Sequence, residues 1–319
     1  MIDLAFDWKR AAQFAVIGTA LSIGAAAIAL AIWIAWYGSA DHTGRLLAEW
    51  SALVKVVERR DSSSSQQRVV SFKLTDGRGR VTTGEMRLPV DLHGRAPAFL
   101  ILGGHGTGSK AAGLIHIEKP AVICAIDYPS YPPWKAGILQ APRVLSQLIS
   151  RAMSAAGSSF AVLDYLLSRP EVDTSRVVVL GASFGVPFAV IAAALDARIK
   201  GLVLLYGAGD LGRIIDWNLK GDIHSRMLRG LASRILGALA SPFEPLSYIG
   251  RVSPRPILMV NGRNDEKMPP LCVELLYRRA GEPKEIIWIE SRHVEPSESE
   301  LIDSLTAVVW RWLEKKGLL

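Results

Sequence analysis

Short apolar runs alternate with longer amphipathic stretches along the chain after residue 95. Runs of about four to eight apolar residues are typical of buried strands, and periodic stretches of roughly ten residues or more indicate helices. The predicted strands cover residues 98–102, 121–126, 176–180, 201–206, 256–261 and 285–289. The predicted helices cover residues 142–168, 184–195, 269–280 and 297–315. This alternation predicts an α/β fold, in which a mostly parallel, twisted sheet carries helices on both faces.

The first forty residues are far more apolar than the rest of the chain. No Asp, Glu, Lys or Arg occurs from Ala11 through Ala40. A helix over Phe14 to Tyr37 would be about 36 Å long, which exceeds the roughly 30 Å thickness of a bilayer's hydrocarbon core. We therefore predict a single transmembrane anchor over residues 11–38, preceded by an N-terminal tail of residues 1–10. The small residues at 38–40 leave a cleaved signal peptide as the alternative.

The charges that flank this segment predict its orientation. Lys9 and Arg10 directly precede the anchor, whereas Arg45 is the one Lys or Arg close to its other end. Basic residues favour the inner side of a membrane. We expect the N-terminus inside and the chain after Asp41 on the outer side, either periplasmic or extracellular.

A change of pattern separates the anchor from the main domain. Residues 43–57 are mixed and compatible with a helix, and residues 58–67 are polar and rich in serine. We interpret residues 39–67 as a juxtamembrane segment and a solvated linker. Alternating segments at 68–74 and 80–88, joined by a turn that contains Asp and Gly, then predict an N-terminal β-hairpin. The main domain is therefore expected to cover residues 68–319.

Charge and cysteine content argue against several classes of partner. Lys and Arg outnumber Asp and Glu by 37 to 30, and the excess is spread along the chain without a basic block. Cys124 and Cys272 lack the spacing of a zinc site or a disulfide framework. The glycine-rich segment 103–109 does not match a phosphate-binding loop. We expect no nucleic acid, no metal and no cofactor.

A candidate nucleophile follows the third of the predicted buried strands. That strand runs into Gly181-Ala182-Ser183-Phe184-Gly185, which is a G-x-S-x-G motif between a strand and a helix. Glycines at both flanks permit a sharp turn, which raises the Ser183 hydroxyl above the sheet. We predict that Ser183 is a catalytic nucleophile.

A serine nucleophile needs a base and an acid that orients the base. Of the six histidines, His293 is the one in a loop directly after a late predicted strand. Asp265 follows the preceding strand and is the predicted acid, with Asp210 and Glu266 as alternatives. The carboxyl ends of parallel strands share one edge of the sheet, so we expect these side chains to meet there.

The same chemistry requires donors for an oxyanion. The glycines of residues 103–109 let backbone amides approach a substrate closely. We expect the Phe184 N–H to supply one donor and the N–H of His105 or Gly106 to supply the other.

With nucleophile, acid and base in this order, the chain from about Val69 to Leu319 resembles an α/β-hydrolase. Residues 164–173, which lead into the serine motif, are similar to the dienelactone-hydrolase-like and acetyl-xylan-esterase-like branches. The oxyanion loop of the family usually begins with His-Gly, whereas here Gly103 and Gly104 precede His105. Because of this departure, the second oxyanion donor can be either His105 or the next residue, Gly106.

The resemblance also implies a structural role for residues 211–255, which separate two predicted strands. It implies that they form a helical cap over the nucleophile, although an insertion packed at the side of the domain is the alternative. The aromatic loop at residues 128–134 can line a substrate cleft or form a rigid surface cover. The aromatic residues expected to bind substrate are Tyr128, Tyr131, Trp134 and Trp217.

The resemblance thus implies a membrane-anchored serine hydrolase that cleaves carboxylic esters through an acyl-enzyme intermediate. Its expected substrate is a small-molecule or lipid-like ester, and its expected bilayer contact is residues 11–38. Association with a membrane-protein partner or as a homo-oligomer is compatible with a membrane anchor. Thioesterase or peptidase activity on the same fold stays open, as does a non-catalytic subunit of a membrane complex.

Overall fold

The computed structural model describes residues 8–63, 67–104, 106–115, 119–130 and 140–319. In these residues nine strands form one sheet. The strands are β1 (Leu53–Ser63), β2 (Gln67–Asp76), β3 (Val81–Pro89), β4 (Ala96–Leu102), β5 (Val122–Ile126), β6 (Val172–Ala182), β7 (Gly201–Leu205), β8 (Ile257–Gly262) and β9 (Lys284–Ile289). The α-helices are α1 (Trp8–Ser39), α2 (Thr43–Leu47), α3 (Ala141–Leu167), α4 (Val186–Leu195), α5 (Leu211–Asn218), α6 (Arg226–Ala240), α7 (Pro245–Tyr248), α8 (Pro270–Arg279) and α9 (Ser299–Lys315).

The strands lie in the order β1-β2-β3-β5-β4-β6-β7-β8-β9. All neighbours from β5 to β9 are parallel. Strands β1, β2 and β3 pair antiparallel with one another, and β3 joins β5 antiparallel. The predicted mostly parallel sheet with an N-terminal hairpin is confirmed. The carboxyl ends of β4, β6, β7, β8 and β9 meet at one edge of the sheet, where a binding site is expected.

Strand β1 corrects the interpretation as a solvated linker for residues 58–63, which belong to the sheet. It pairs with β2, and Glu58 lies opposite Phe72. The helix expected within residues 43–57 is limited to the short α2. Because β1 is an edge strand with most side chains exposed, it lacks the apolar alternation by which strands are recognised. Hydrogen bonding to β2 and contacts such as Tyr165 Oη to Glu58 Oε1 at 2.7 Å hold it instead.

The central strands bury both of their faces. Leu100 and Val179 point to one face, where they belong to a core shared with α3, α4 and α8. Phe99 and Val178, their neighbours in sequence, point to the other face and pack with residues of α9. Alternate residues of a strand face opposite sides, so this arrangement explains the nearly continuous apolar runs in the sequence.

Helix α1 contains the predicted apolar segment. Val16–Ser39 comprises 24 residues with a mean hydropathy of 2.1, and none of its most apolar stretch is buried against the rest of the chain. At 1.5 Å per residue it is about 36 Å long, which suffices to cross a bilayer.

Residues 211–255 form a helical insertion that contains α5, α6 and α7. Its second helix packs against the end of α1, where a Cβ atom on Gly38 would lie 3.9 Å from Ala238. Directly after α6, the Ser241 hydroxyl donates to the Tyr37 carbonyl oxygen at 3.2 Å. The insertion therefore connects the apolar helix to the main domain.

Gly84 lies where β3 joins the parallel part of the sheet. A Cβ atom at this position would overlap the Phe72 ring and the Ala125 carbonyl oxygen. Because the carbonyl belongs to the backbone of β5, side-chain movement alone cannot relieve the overlap. We expect Gly84→Ala to lower the free energy of unfolding by about 1–3 kcal/mol, measured by urea unfolding.

The matched control is Gly230→Ala in α6, where nothing lies within 4 Å of the added carbon. Alanine is the better helix former, so this variant should gain about 0.5–1 kcal/mol. Equal effects of the two substitutions would contradict the packing described for Gly84.

Candidate active site

Ser183 lies at a sharp turn between β6 and α4. Its φ is 49°, in the left-handed region that residues other than glycine rarely adopt. Ser183–Gly185 form one 3₁₀ turn, and α4 begins at the next residue. The turn presents the side chain at the carboxyl edge of the sheet, above the N-terminus of a helix.

The glycines that flank this turn are required by close packing. A Cβ atom on Gly181 would lie 2.6 Å from the Ala189 Cβ atom, and one on Gly185 would overlap the Leu102 carbonyl oxygen. The G-x-S-x-G pattern thus reflects two contacts, one with the following helix and one with β4.

The side chains of Ser183, His293 and Asp265 form one hydrogen-bonded row. Ser183 Oγ lies 2.8 Å from His293 Nε2. The other ring nitrogen, Nδ1, lies 2.9 Å from Asp265 Oδ2 and 3.0 Å from Oδ1. Both His293 and Asp265 are buried, with 4% and 8% exposed surface. The structure therefore brings together the three predicted residues, which come from loops after β6, β8 and β9.

The Asp265 carboxylate is also held by its own loop. The backbone amides of Lys267 and Met268 donate to Oδ1 at 2.8 and 3.0 Å. Hydrogen bonds from amides favour an ionised carboxylate and fix its orientation. Asp265 is therefore prepared as an acceptor for the imidazole N–H.

The two alternative acids occupy other positions. Asp210 caps α5 by accepting from the Arg213 amide at 3.2 Å. Glu266 accepts from the backbone amide of His293 at 3.2 Å, and not from its ring. Hydrogen bonds from its own amide and then from that of His293 hold the pKa of Glu266 below its usual value. Asp265 is thus the acid that reaches the imidazole.

The loops that carry the acid and the base are joined by their backbones. The amide of Arg263 donates to the Ile289 carbonyl at 2.9 Å, and the amide of Asn264 donates to the Ser291 carbonyl at 3.1 Å. These bonds continue the pairing of β8 with β9 beyond the strand ends. The distance between Asp265 and His293 is thereby set by main-chain contacts.

Tyr206 supports the imidazole and was missed by the sequence analysis. Its ring packs edge-on against His293, with centroids 5.5 Å apart, and its hydroxyl lies 2.6 Å from Ser291 Oγ. Burial raises the pKa of Tyr206, which keeps the phenol neutral. Its position at the end of β7, between the strands of Ser183 and Asp265, is the signal that could have identified it.

Tyr128 braces the glycine-rich loop. Its hydroxyl donates to the Gly103 carbonyl at 3.0 Å, and its ring packs edge-on against Phe184 at 5.2 Å. Beside it, the Asp127 carboxylate accepts from the Ser109 amide at 2.9 Å. The loop after β4 is therefore tied both to β5 and to the turn that carries the nucleophile.

The predicted oxyanion donors belong to this loop and to the turn. Gly106 has a φ of 83°, which glycine adopts without strain, and Phe184 directly follows the nucleophile. His105, Tyr131 and Trp134 lie outside the described residues. The donor roles of Phe184, His105 and Gly106 stay predictions.

A cavity of about 190 Å³ opens beside Ser183 and His293, between the sheet and α9. Apolar residues that line it include Ile101, Leu114, Leu180, Leu305, Val309 and Trp310. Among the described lining residues, none comes from residues 211–255, and neither Tyr128 nor Trp217 is present. The substrate-binding roles of these two aromatic residues also stay predictions.

The helical insertion contacts the acid loop. Trp217 Nε1 donates to the Glu266 carbonyl at 2.8 Å, and Asn218 Nδ2 donates to the Lys267 carbonyl at 2.9 Å. The insertion thus packs beside the loop of Asp265 and does not line the described cavity. The role of residues 211–255 as a cap over the nucleophile stays a prediction.

The cysteines lie away from this chemistry. Cys124 and Cys272 are free and buried. Burial raises the pKa of both thiols, that of Cys272 to about 11, so neither is a thiolate at neutral pH. Across the residues that the structure describes, no group of three or more His, Cys, Asp or Glu side chains could hold a metal ion.

Comparison with known proteins gives a match over part of the chain. Residues 137–278, which include Ser183 and Asp265, match the dienelactone hydrolase family. A stretch of 129 residues is 31% identical to the α/β-hydrolase domain-containing protein WAV2 of Arabidopsis thaliana. That stretch covers 38% of this chain and 40% of the plant protein.

Two solved acetyl xylan esterases have a similar fold. Acetyl xylan esterase 1 of Thermoanaerobacterium sp. gives a TM-score of 0.61 at 19% identity, over 84% of this chain and 92% of its own. The enzyme of Paenibacillus sp. gives a TM-score of 0.61 at 20% identity, over 86% and 94%. At these identities the likeness concerns the fold. Together with the strand order and the serine turn, the matches identify the chain as an α/β-hydrolase-fold protein whose central segment is similar to the dienelactone hydrolase family.

Proposed function

We propose that the chain is a membrane-anchored serine hydrolase that cleaves carboxylic esters through an acyl-enzyme. The observation that carries the proposal is the hydrogen-bonded row from Ser183 through His293 to Asp265 at a strand-to-helix turn. The match to the dienelactone hydrolase family and the fold shared with acetyl xylan esterases support an ester as substrate.

Acylation begins with proton transfer inside this row. His293 Nε2 takes the proton of Ser183 as Oγ attacks the ester carbonyl. The imidazolium that forms is oriented and stabilised by the Asp265 carboxylate. The backbone amides of Lys267 and Met268, which donate to Oδ1, hold Asp265 in position for this role.

The negative charge on the carbonyl oxygen needs fixed donors. We assign the first to the amide of Phe184, which follows the nucleophile at the N-terminal end of α4. The second comes from the glycine-rich loop, at His105 or Gly106. A preorganised donor of this kind typically contributes about 10²–10³ to kcat.

The tetrahedral intermediate collapses when His293 returns its proton to the leaving alcohol. The acyl group is then bound to Ser183 Oγ. A water molecule, deprotonated by the same His293, attacks the acyl carbon, and the bond to Oγ breaks to release the acid. The enzyme returns to its starting protonation state.

Membrane attachment is the second part of the proposal. Next to the end of α1, helix α6 exposes Met227, Leu228 and Leu231, by 79%, 55% and 48%. The same helix packs against α1, and Ala238 lies 3.9 Å from where a Cβ atom on Gly38 would be. Exposed apolar side chains beside a helix of membrane-spanning length support a bilayer interface on this side of the domain.

Ser183→Ala is expected to lower kcat for a p-nitrophenyl ester by about 10⁶, because the variant cannot form the acyl-enzyme. It should also abolish covalent labelling by a fluorophosphonate probe. Ser304→Ala is the control, since the Ser304 hydroxyl on the exposed side of α9 donates to a helix carbonyl. Retention of most activity by Ser183→Ala would contradict the assignment.

Asp265→Asn and Glu266→Gln separate two adjacent carboxylates with different contacts. Asp265→Asn should lower kcat by about 10⁴, because an amide in place of the carboxylate favours the wrong tautomer of His293. Glu266→Gln should change kcat less than about tenfold, since Glu266 reaches the backbone amide of His293 and not the ring. Measurement of kcat for both variants tests this, and a larger loss in Glu266→Gln would make Glu266 the acid.

An exposed cysteine can report the side of the membrane, because Cys124 and Cys272 are both buried. We expect full-length Ala307→Cys to stay in the membrane after alkaline carbonate extraction and to react with an impermeant maleimide in right-side-out vesicles. The wild-type chain is the unlabelled control. Labelling in everted vesicles alone would reverse the orientation, and recovery in the soluble fraction would contradict the anchor.

A further inference from the structure

The cavity beside Ser183 has apolar walls that belong to the two packed layers of the domain. Leu180 on the sheet and Leu305 and Val309 on α9 line it, and each is 3% exposed or less. Trp310 lines it as well and packs against Phe99, with ring centroids 4.8 Å apart. These walls are held by the core, so the cavity is a preformed part of the fold.

The charged groups that line the cavity neutralise each other. Lys267 Nζ lies 2.6 Å from Glu295 Oε1, and these are the charged side chains among the described lining residues. Ser183 and His293 supply the reactive groups at the same cavity. Any part of a ligand that enters the cavity therefore contacts apolar walls. Burial against these walls is most favourable for a neutral, apolar group.

The volume limits the size of that group. A cavity of 150 Å³ lined by Leu, Ile and Phe side chains stays dry and binds benzene. The present cavity, at about 190 Å³, is slightly larger. It has room for roughly five to seven carbon atoms.

Resting on the function proposed above, we infer that this cavity is the acyl pocket and that the preferred acyl group has about five to seven carbons, as in a hexanoyl or benzoyl ester. The acyl half stays bonded to Ser183 Oγ after the alcohol has left. A pocket that has Ser183 in its lining and apolar walls from the sheet and α9 suits the half that stays bonded to Oγ.

The first test is a series of p-nitrophenyl esters from acetyl to palmitoyl, hydrolysed by the full-length protein in detergent. Each methylene buried in the pocket should raise kcat/KM about fourfold from acetyl to hexanoyl. From octanoyl onwards, kcat/KM should fall because the chain exceeds the cavity. A profile without size dependence overturns the inference.

The second test fills the cavity. Thr306 lines it from α9, whereas Ala307 points to solvent on the same helix. Thr306→Phe should lower kcat/KM for the hexanoyl ester by about 30-fold or more and change the acetyl ester by less than about threefold. Ala307→Phe should leave the whole profile unchanged.

Trp310→Ala gives an independent test if Thr306→Phe fails to fold, which thermal unfolding will reveal. Removal of the indole enlarges the cavity, so the optimum should move to octanoyl or decanoyl esters. Methyl hexanoate carries the six-carbon chain on the acyl side and hexyl acetate carries it on the alcohol side, so the two substrates test the two halves of the ester separately. If the variants alter the hydrolysis of hexyl acetate and not that of methyl hexanoate, the acyl assignment is wrong.

Failure of this inference can be told from failure of the proposed function. If the protein reacts with the fluorophosphonate probe at Ser183 but shows no dependence on acyl chain length, the proposed hydrolase function stands and the acyl-pocket inference is wrong. If the protein neither reacts with the probe nor cleaves any ester, both the proposed function and the acyl-pocket inference are wrong.

Discussion

The backbone at Gly185 packs so closely against the carbonyl oxygen of Leu102 that no side-chain atom fits between them. This contact joins the turn after β6 to the end of β4, which are hydrogen-bonded neighbours in the sheet. The turn carries Ser183, and the chain after Leu102 is the glycine-rich loop. The distance between the nucleophile and the loop that is proposed to hold the oxyanion is therefore set by two strands in register. A change in this contact would move the nucleophile turn and the glycine-rich loop together. The geometry of the site therefore requires glycine at position 185.

A second set of contacts links the apolar helix α1 to the acid. α6 packs on α1 through Ala238 and Gly38, and α5 packs on α6 at Gly212 and Gly237, where a Cβ atom on Gly237 would lie 2.8 Å from the Gly212 Cα atom. From α5, the Trp217 indole reaches the carbonyl of Glu266, next to Asp265. Small residues at each crossing let the helices approach closely. The insertion thus links the acid loop, through packed helices, to the end of the proposed membrane anchor.

The residues that sequence reasoning could find are those whose signal is local. Ser183 stands in a five-residue motif, and His293 could be chosen because parallel strands end at a common edge. β1 could not be found, because an edge strand without a buried face has no apolar period. For Tyr128 the sequence predicted a substrate-binding role, and it did not reveal the hydrogen bond from the Tyr128 hydroxyl to the carbonyl of Gly103. Such a contact depends on which strands are neighbours, and the sequence does not state that order.

The cavity shows the same limit, because its walls come from segments far apart in the chain. The end of the glycine-rich loop runs into a 3₁₀ turn formed by Gly108–Gly113. This turn packs tightly on the strand end, since a Cβ atom on Gly103 would lie 3.1 Å from the Ala111 Cβ atom. Ala111 and Gly103 both line the cavity, opposite α9. One loop therefore borders the space for the acyl chain and also leads to the proposed oxyanion donors. It follows that a substitution that moves this loop would change the fit of the chain and the position of the carbonyl oxygen at once, which couples selectivity to rate.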